Sequence, residues 1–482
     1  MTAPAPATVR FGRLERRGVL LGLSGAQLMM LGTAVSVAVV AEYAAGALGV
    51  VASAPVWLLC SVLALVSVAG RPLMAWAPIV GDWTARRSLR RTAHVARPMR
   101  GEPGDGLVLP GIPGTLNVVS SAATGAVHVV DPRSGTVTAI LELRGRGFIL
   151  EDPGAQDRRV GGWGSVLASL CQQPDIVRIQ VLHRTGRGGA AGAHRWWAEH
   201  AMADAPFASR ILADLLADAE ETTDRQECVL AVAMRAPRGR GRGRDRDWSG
   251  IDQQVAALTD ALHATDLDVQ GPVTPGRLSA LLRAAYDPET SYLPDRGDGH
   301  DSPVSQWVGP MGAVESWDRL RTDSAHHVVY WVQEWPRSDV HATFLRPVLL
   351  APGARRTFTL IAEPLAPGKA LRDIRRAKVE HTADAAQRAR IGRVEDASTA
   401  AEAGDLVRRE QDLVAGHGDL RFAGLITVSA ATPEELEAAC LATEAAAAQA
   451  MCELRRSSLG GTAGRLELLG GGRADGDETG EP

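Results

Sequence analysis

Histidines, glycine pairs, carboxylates and arginines at short spacing are the residues that could do chemistry in this chain. His326 and His327 are consecutive in a strand-like stretch, so their side chains point to opposite faces and cannot share one metal ion. One core histidine and one surface histidine are expected. Gly368-Lys369 is followed by Ala370 where a phosphate loop needs Ser or Thr, and Glu363 stands where its first glycine belongs. Gly145 and Gly147 form a G-x-G with Leu150 in place of the third glycine, which reads as a turn into Phe148 and not as a dinucleotide cradle. Neither H-E-x-x-H nor G-x-S-x-G occurs. The acidic pairs Glu151-Asp152 and Asp245/Asp247 fall in loops without an identifiable partner. No catalytic, cofactor-binding or metal-ligating residue is therefore assigned, and a non-enzymatic role is expected.

Two other groupings carry charge or aromatic surface. The run Arg235 to Arg246 (RAPRGRGRGRDR) spaces six arginines with glycine and could meet the phosphates of nucleic acid or lipid. It lacks interleaved aromatics for base stacking and is partly neutralised by Asp245 and Asp247, so a solvated hairpin tip is expected and nucleic acid gains no further support. Trp196-Trp197 in a helix reads as half core and half interface. The five cysteines, Cys60, Cys171, Cys228, Cys440 and Cys452, are scattered and never paired as C-x-x-C, which implies a reducing compartment without a disulfide or zinc framework.

The elements that must position these residues are first of all apolar. A mean hydropathy of -0.05 and a net charge of -4 describe an average soluble chain, but the apolar residues are concentrated near the N-terminus. Between Gly18 and Gly70 only Glu42 is charged. Val19–Ala41 and Ala47–Ala69 are each 23 residues long, enough to cross a hydrocarbon core of about 30 Å. This predicts an antiparallel transmembrane hairpin turning around Glu42, Tyr43, Gly46 and Gly49, with Glu42 solvated in the turn. Gly18, Gly22, Gly25, Ala34 and Ala38 either allow close helix approach or reflect an Ala/Gly-rich composition. Arg10, Arg13, Arg16 and Arg17 precede the first span; Arg71, Arg86, Arg87, Arg90 and Arg91 follow the second. The positive-inside rule then places both flanks, and both termini, in the cytoplasm of a multi-pass inner (plasma) membrane protein. Trp76 and Trp83 read as interfacial anchors beside anionic lipid of the cytoplasmic leaflet.

The remainder is expected to be α+β. A basic N-terminus (1–17) and the hairpin (18–70) precede a basic juxtamembrane segment and Gly/Pro linker (71–114), which is not expected to hold regular structure past residue 100. A first domain (115–290) has strands at Leu116–Val119, Ala126–Val130 and Thr136–Leu143, the last two joined by the turn Asp131-Pro132-Arg133-Ser134-Gly135. A helix at Asp157–Cys171, an alternating strand at Ile176–Leu182, helices at 189–203 and 206–221, a strand at Cys228–Met234 and helices from Asp252 and from Thr274-Pro275 complete it. A second domain (291–469) echoes this order. It has strands at Val328–Val332, Thr357–Ala362 and Phe422–Val428, a short helix within Val340–Leu350, a long polar helical region over 367–414 and a helix opened by Thr432-Pro433-Glu434-Glu435. A last strand is expected at Arg465–Leu469, then a disordered tail (470–482). The fold class expected is a membrane-anchored α+β protein with two subdomains of split βαβ, ferredoxin-like type.

The stretches Arg408–His417, Arg421–Val428 and Pro433–Ala438 resemble the non-motor N-terminal domain of TrbE-type conjugation and type IV secretion ATPases. The opening Val9-Arg10-Phe11-Gly12 with the two-span hairpin resembles the small PrgI-type membrane component that accompanies them. Together they resemble an actinobacterial family of two-span membrane proteins of conjugation-like secretion loci. The resemblance implies a scaffold that docks a separate secretion ATPase alongside other membrane subunits in an oligomeric complex, because the motor that would follow in those ATPases has no counterpart here. An EccE-like core subunit of type VII secretion is the alternative, and a membrane-tethered enzyme the second alternative.

Overall fold

The computed structural model describes residues 8–9, 11, 25–68, 71–96, 106–112, 114–121, 123–145, 147–187, 190–201, 207–237, 248–288, 308–390 and 397–457. The expected strand at Arg465–Leu469 and the tail lie outside the described residues. The chain divides into two compact units: residues 13–93, and residues 1–12 with 94–482.

The smaller unit holds a helix long and apolar enough to cross a membrane, α1 (Gly25–Leu65). Its backbone leaves helical geometry at Ala45 (φ -143°, ψ 17°) and Gly46 (φ 59°, ψ -151°), the second a region that glycine enters without steric cost. Most of its large apolar side chains are exposed, while Ala34 and Ala64 are buried. A short antiparallel pair, Ser67–Val68 with Arg71–Pro72, then leads into α2 (Leu73–Ser88). The sequence reading placed a basic juxtamembrane segment there without assigning a helix: Pro78 and the basic run mask the helical pattern.

The larger unit is built on an antiparallel sheet. In chain order its main elements are β1 (Leu116–Ser120), β2 (Val127–Asp131), β3 (Thr136–Arg144), α3 (Pro153–Cys171), β4 (Ile176–Arg187), α4 (Ala191–His200), α5 (Phe207–Thr222), β5 (Asp224–Arg235), α6 (Ser249–Ala264), β6 (Asp268–Pro272) and α7 (Pro275–Tyr286). The second half supplies β7 (His326–Glu334), β8 (Arg355–Leu365), α8 (Pro367–Arg390), α9 (Ala397–Val414), β9 (Asp419–Ala430), α10 (Pro433–Gln449) and β10 (Glu453–Arg456). Local chemistry sets many of these boundaries. Thr274 and Thr432 accept hydrogen bonds from the backbone N–H of Arg277 and Glu435, each with proline at the first helical position. The Asp131 carboxylate accepts from the Arg133 backbone N–H at 2.9 Å, and Gly135 (φ 65°) closes the β2–β3 turn.

The two halves repeat one connectivity. In the first, β6 pairs with β3, β3 with β5 and β5 with β4, all antiparallel. In the second, β10 pairs with β7, β7 with β9 and β9 with β8 in the same sense. A helical pair is inserted at the same point of each half, α4–α5 between β4 and β5 and α8–α9 between β8 and β9. The halves then join through β4 and β8, with Thr185 opposite Arg356 and Ile179 opposite Ala362, so one continuous sheet replaces two separately closed sandwiches. Arg178 of β4 bridges Glu363 of β8 at 2.9 Å across that seam.

On one face α3 and α6 cover Val137, Leu141, Ile179, Leu230 and Val232, and α10 covers Val328, Tyr330, Ile426 and Val428. On the other, α7 packs Leu278, Leu281 and Leu282 against Ile140, Leu182 and Val229. Part of the expected linker joins this second core. Gly106–Leu107 pairs with Leu116–Asn117, and Leu107 and Leu109 are buried. Their apolar side chains outweigh the Gly/Pro signal around them. Of the helix expected within Val340–Leu350 only Arg346–Leu349 is helical; Val340–His341 instead forms a strand pair with Thr8–Val9.

Candidate membrane-flanking site

The residues singled out as membrane-flanking fall in three places. Arg10, Arg13, Arg16 and Arg17 lie outside the described residues. Arg71 is in the two-residue strand paired with Val68. Trp76, Trp83, Arg86 and Arg87 lie on α2, and Arg90 and Arg91 follow directly after it.

The helix brings several of these together. Trp76 and Trp83 are seven residues apart and share one helical face. Arg87, one turn beyond Trp83, sets its guanidinium 5.0 Å from the centre of that indole ring, a cation–π arrangement. Arg86 is engaged differently: it forms an ion pair with Asp82, Nε lying 2.9 Å from a carboxylate oxygen, a partner that the reading of the basic run alone passed over. The helix end is closed by backbone bonds from Arg91 N–H to Arg86 C=O (2.8 Å) and from Arg90 N–H to Arg87 C=O (3.1 Å). This is a Schellman-type cap, and its left-handed position, usually glycine, is taken by Arg90 at φ 54°. An arginine held there keeps a cation at the carbonyl end of the helix, where the helix dipole favours it.

The N-terminal segment is fixed on the larger unit. Thr8 and Val9 pair with His341 and Val340, and the Phe11 ring stacks on Trp335 at 4.7 Å with 23° between planes. Phe344 and Phe422 close the cluster at 5.2 and 5.8 Å from Phe11. Trp335 itself lies over β9, where a Cβ on Gly424 would approach its ring to 2.7 Å. Glycine is required there because the indole occupies the space of a side chain.

Three polar clusters lie elsewhere in the larger unit. Asp252 accepts from Ser121 Oγ and pairs with His128 Nε2, both at 2.7 Å. The carboxylate separates the two, so the histidine is not placed to take the serine proton and the arrangement is not that of an activated nucleophile. Arg277 bridges Glu142 at 2.7 Å and Glu227 at 3.1 Å, and Arg184 and Arg225 also reach Glu227. Burial would raise the Glu227 carboxyl, but these guanidinium groups outweigh it and hold it below its ordinary range. His327 is buried, with Nε2 2.9 Å from Thr322 Oγ1 and Nδ1 2.8 Å from Ser429 Oγ, while His326 is only half-buried. This matches the expected division into a core and a more exposed histidine. Burial lowers the His327 pKa to about 4.

These clusters join residues up to 135 positions apart, and no local spacing signals them. Burial pushes the thiols of Cys171, Cys228 and Cys452 up to about 11, which makes them poor nucleophiles at neutral pH. Among the described residues no group of three or more His, Cys, Asp or Glu is arranged to hold a metal ion. Of the arginine run, Arg235 closes β5 and residues 238–247 lie outside the described residues. The Gly145/Gly147 segment is a turn: Gly147 (φ 72°) leads into a short helix at Phe148–Leu150. No family model matches the chain, and no curated protein is significantly similar to it.

Proposed function

We propose that the protein is a non-catalytic inner-membrane component of a bacterial secretion or DNA-transfer apparatus of the type IV-like, conjugation type. It is anchored by a two-span hairpin with both flanks cytoplasmic and docks a separate ATPase. The observation that carries the topology is the pairing of Thr8–Val9 with Val340–His341, reinforced by Phe11 against Trp335. The chain leaves the larger unit after residue 12 and rejoins it at residue 94, which supports an even number of crossings by the apolar segment between.

Three details favour two spans over one. The helical geometry of α1 breaks at Ala45 and Gly46. Gln27 Nε2 donates to the Ala64 carbonyl at 2.7 Å, although 37 residues of straight helix would separate them by roughly 55 Å. A Cβ on Gly49 would collide with the Ala41 carbonyl oxygen, a close approach expected at a tight reversal. Orientation rests on the arginine flanks. The strand orders β6-β3-β5-β4 and β10-β7-β9-β8, with α3 and α6 covering one face of the first and α10 the same face of the second, favour two ferredoxin-like units. The docking role rests on the TrbE-type resemblance, whose stretches fall on the end of α9, on β9 and on the start of α10.

Cysteine placed at Tyr43 should react with a membrane-impermeant maleimide in intact cells, while reporters fused before Met1 and after Pro482 should both be cytoplasmic. Labelling from the cytoplasmic side alone would overturn the hairpin. The purified full-length protein should lack ATP turnover and should co-purify with the secretion ATPase of its own locus; intrinsic turnover, or no association with that motor, would overturn the docking role.

A further inference from the structure

The two helical insertions occupy the same position in the repeated connectivity but differ in surface. α5 exposes an apolar stripe of Phe207, Ile211 and Leu215, whereas the outward face of α8 is cationic. Ala370 and Ile374 are buried and set the inward side of α8. At about 100° per residue Arg372 lies directly opposite them, with Lys369, Arg375 and Arg376 within about 60° of it, and all four are exposed. The acid nearest in sequence, Asp373, is about 100° round the helix from Arg372 and meets Arg421 at 3.9 Å. Lys378 lies on the other flank, tied to Glu410 of α9.

Chemistry narrows the choice of occupant. Residues 367–414 contain no aromatic side chain for nucleic-acid bases to stack on, and among the described residues only Val379 adds a large exposed apolar side chain beside the four cations, too little for insertion into lipid. The same chain supplies the complementary charge: residues 474–482 carry Asp475, Asp477, Glu478 and Glu481 and no cation. The distance is within reach. Arg456 of β10 lies in one row with Tyr330, Ile426 and Phe358 across β7, β9 and β8, about 14 Å from Phe358 at one strand spacing per step. Leu365 ends β8 about 23 Å farther along, and α8 follows directly. β10 therefore ends about 27 Å from the start of α8, and a stretch as long as residues 457–475 extends up to about 60 Å.

We propose that the acidic segment 474–482 docks on the outward face of α8 in the same chain, its carboxylates meeting Lys369, Arg372, Arg375 and Arg376. Exposed ion pairs are individually weak, but the tether holds the segment at about millimolar local concentration, so several together keep the face covered. Lys369 and Lys378 are the two lysines of the sequence, which makes the contact readable by zero-length carbodiimide coupling of carboxylates to amines. In the full-length protein in detergent at low salt, the tryptic peptide 474–482 should be found joined to the peptide carrying Lys369, while Lys378 joins Glu410 as an internal standard for the folded α8–α9 pair. In an equal mixture of isotopically light and heavy chains the joined peptides should be light with light and heavy with heavy. Raising salt to about 0.5 M, where the screening length falls to about 4 Å, should lower the Lys369 yield at least about fivefold. Arg372→Glu/Arg376→Glu should lower it by about tenfold with the Lys378–Glu410 product unchanged, and Arg372→Lys/Arg376→Lys should retain coupling of 474–482 to this face. No product between 474–482 and Lys369 beside a normal Lys378–Glu410 product, mixed light and heavy products that place the segment on a second copy, or a yield indifferent to charge reversal overturns the proposal.

Discussion

The attachment of the N-terminal segment can be tested through Phe11. Residues 8 and 9 contribute only a two-residue strand, so most of the segment's hold comes from the ring of Phe11 among Trp335, Phe344 and Phe422. Aromatic pairs contribute about 0.5–1.5 kcal/mol each beyond area burial, and a half-buried phenyl adds about 1 kcal/mol. The three contacts share one ring and are not additive, so Phe11→Ala is expected to cost about 3 kcal/mol locally. If the segment opens independently of the sheet, that loss raises its open fraction by about 100-fold. Hydrogen exchange read by mass spectrometry should show the amides of Thr8–Val9 and Val340–His341 losing about that much protection. The denaturation midpoint of the remainder should hardly move, and Phe11→Leu should fall between. Unchanged exchange at both strands would mean that the aromatic cluster does not hold the segment. A collapse of the whole unit would mean that the segment is part of the cooperative core. The first result would remove the argument that the segment before the apolar helix is tied to the larger unit; the second would mean that it is tied through the whole core and not through a local contact.

Gly424→Ala places a Cβ 2.7 Å from the Trp335 ring and 3.0 Å from Val332, and should destabilise the larger unit by about 1–3 kcal/mol in guanidinium unfolding. Arg90→Gly relieves the left-handed strain at φ 54° and should stabilise the end of α2 by about 1 kcal/mol, read as roughly fivefold slower exchange of the Arg91 amide. The pH dependence of stability should carry the signature of His327, whose pKa falls from 6.5 to about 4 on folding. The unfolded imidazole takes up its proton near 6.5 while the folded one resists, so the contribution is complete above about 6.5 and is lost as pH falls toward 4. The loss amounts to about 3 kcal/mol. His327→Gln should flatten urea unfolding free energies between pH 6.5 and 4, and an unchanged slope would refute the assignment.

What the sequence made legible was local. The Thr274-Pro275 and Thr432-Pro433-Glu434-Glu435 caps, the Asp131–Gly135 turn and the alternation over Ile176–Leu182 each state their structure within a few residues. Asp152-Pro153 carries the same cap chemistry, with the Asp152 side chain accepting from Gly154 N–H at 3.1 Å, and so starts α3 four residues before the expected Asp157. The misses depended on distant partners. β4 and β5 each run to 12 residues because each pairs on both sides, and their polar outer ends do not read as strand. Val340–His341 is a strand only because Thr8–Val9 lies beside it, and Leu107 and Leu109 are core only because β1 and α7 enclose them. The flanking basic residues were legible as a group, yet the bond of Arg86 to Asp82 and the capping position of Arg90 become visible only once α2 is known to be a helix.

The repeated connectivity sets the two helical insertions of the larger unit apart. Because β4 and β8 are antiparallel neighbours, the insertions that follow them leave the sheet at opposite ends. One end carries the apolar stripe of α5; the other carries the polar pair α8–α9, tied by Lys378 to Glu410. The stretch that resembles a secretion ATPase begins on α9, at the second of these ends, and continues into β9. On the proposed docking role, Lys378→Glu should weaken motor binding by breaking the ion pair at that end, Ile211→Asp on α5 should leave it unchanged, and a loss in both variants would mean that the two ends do not act independently.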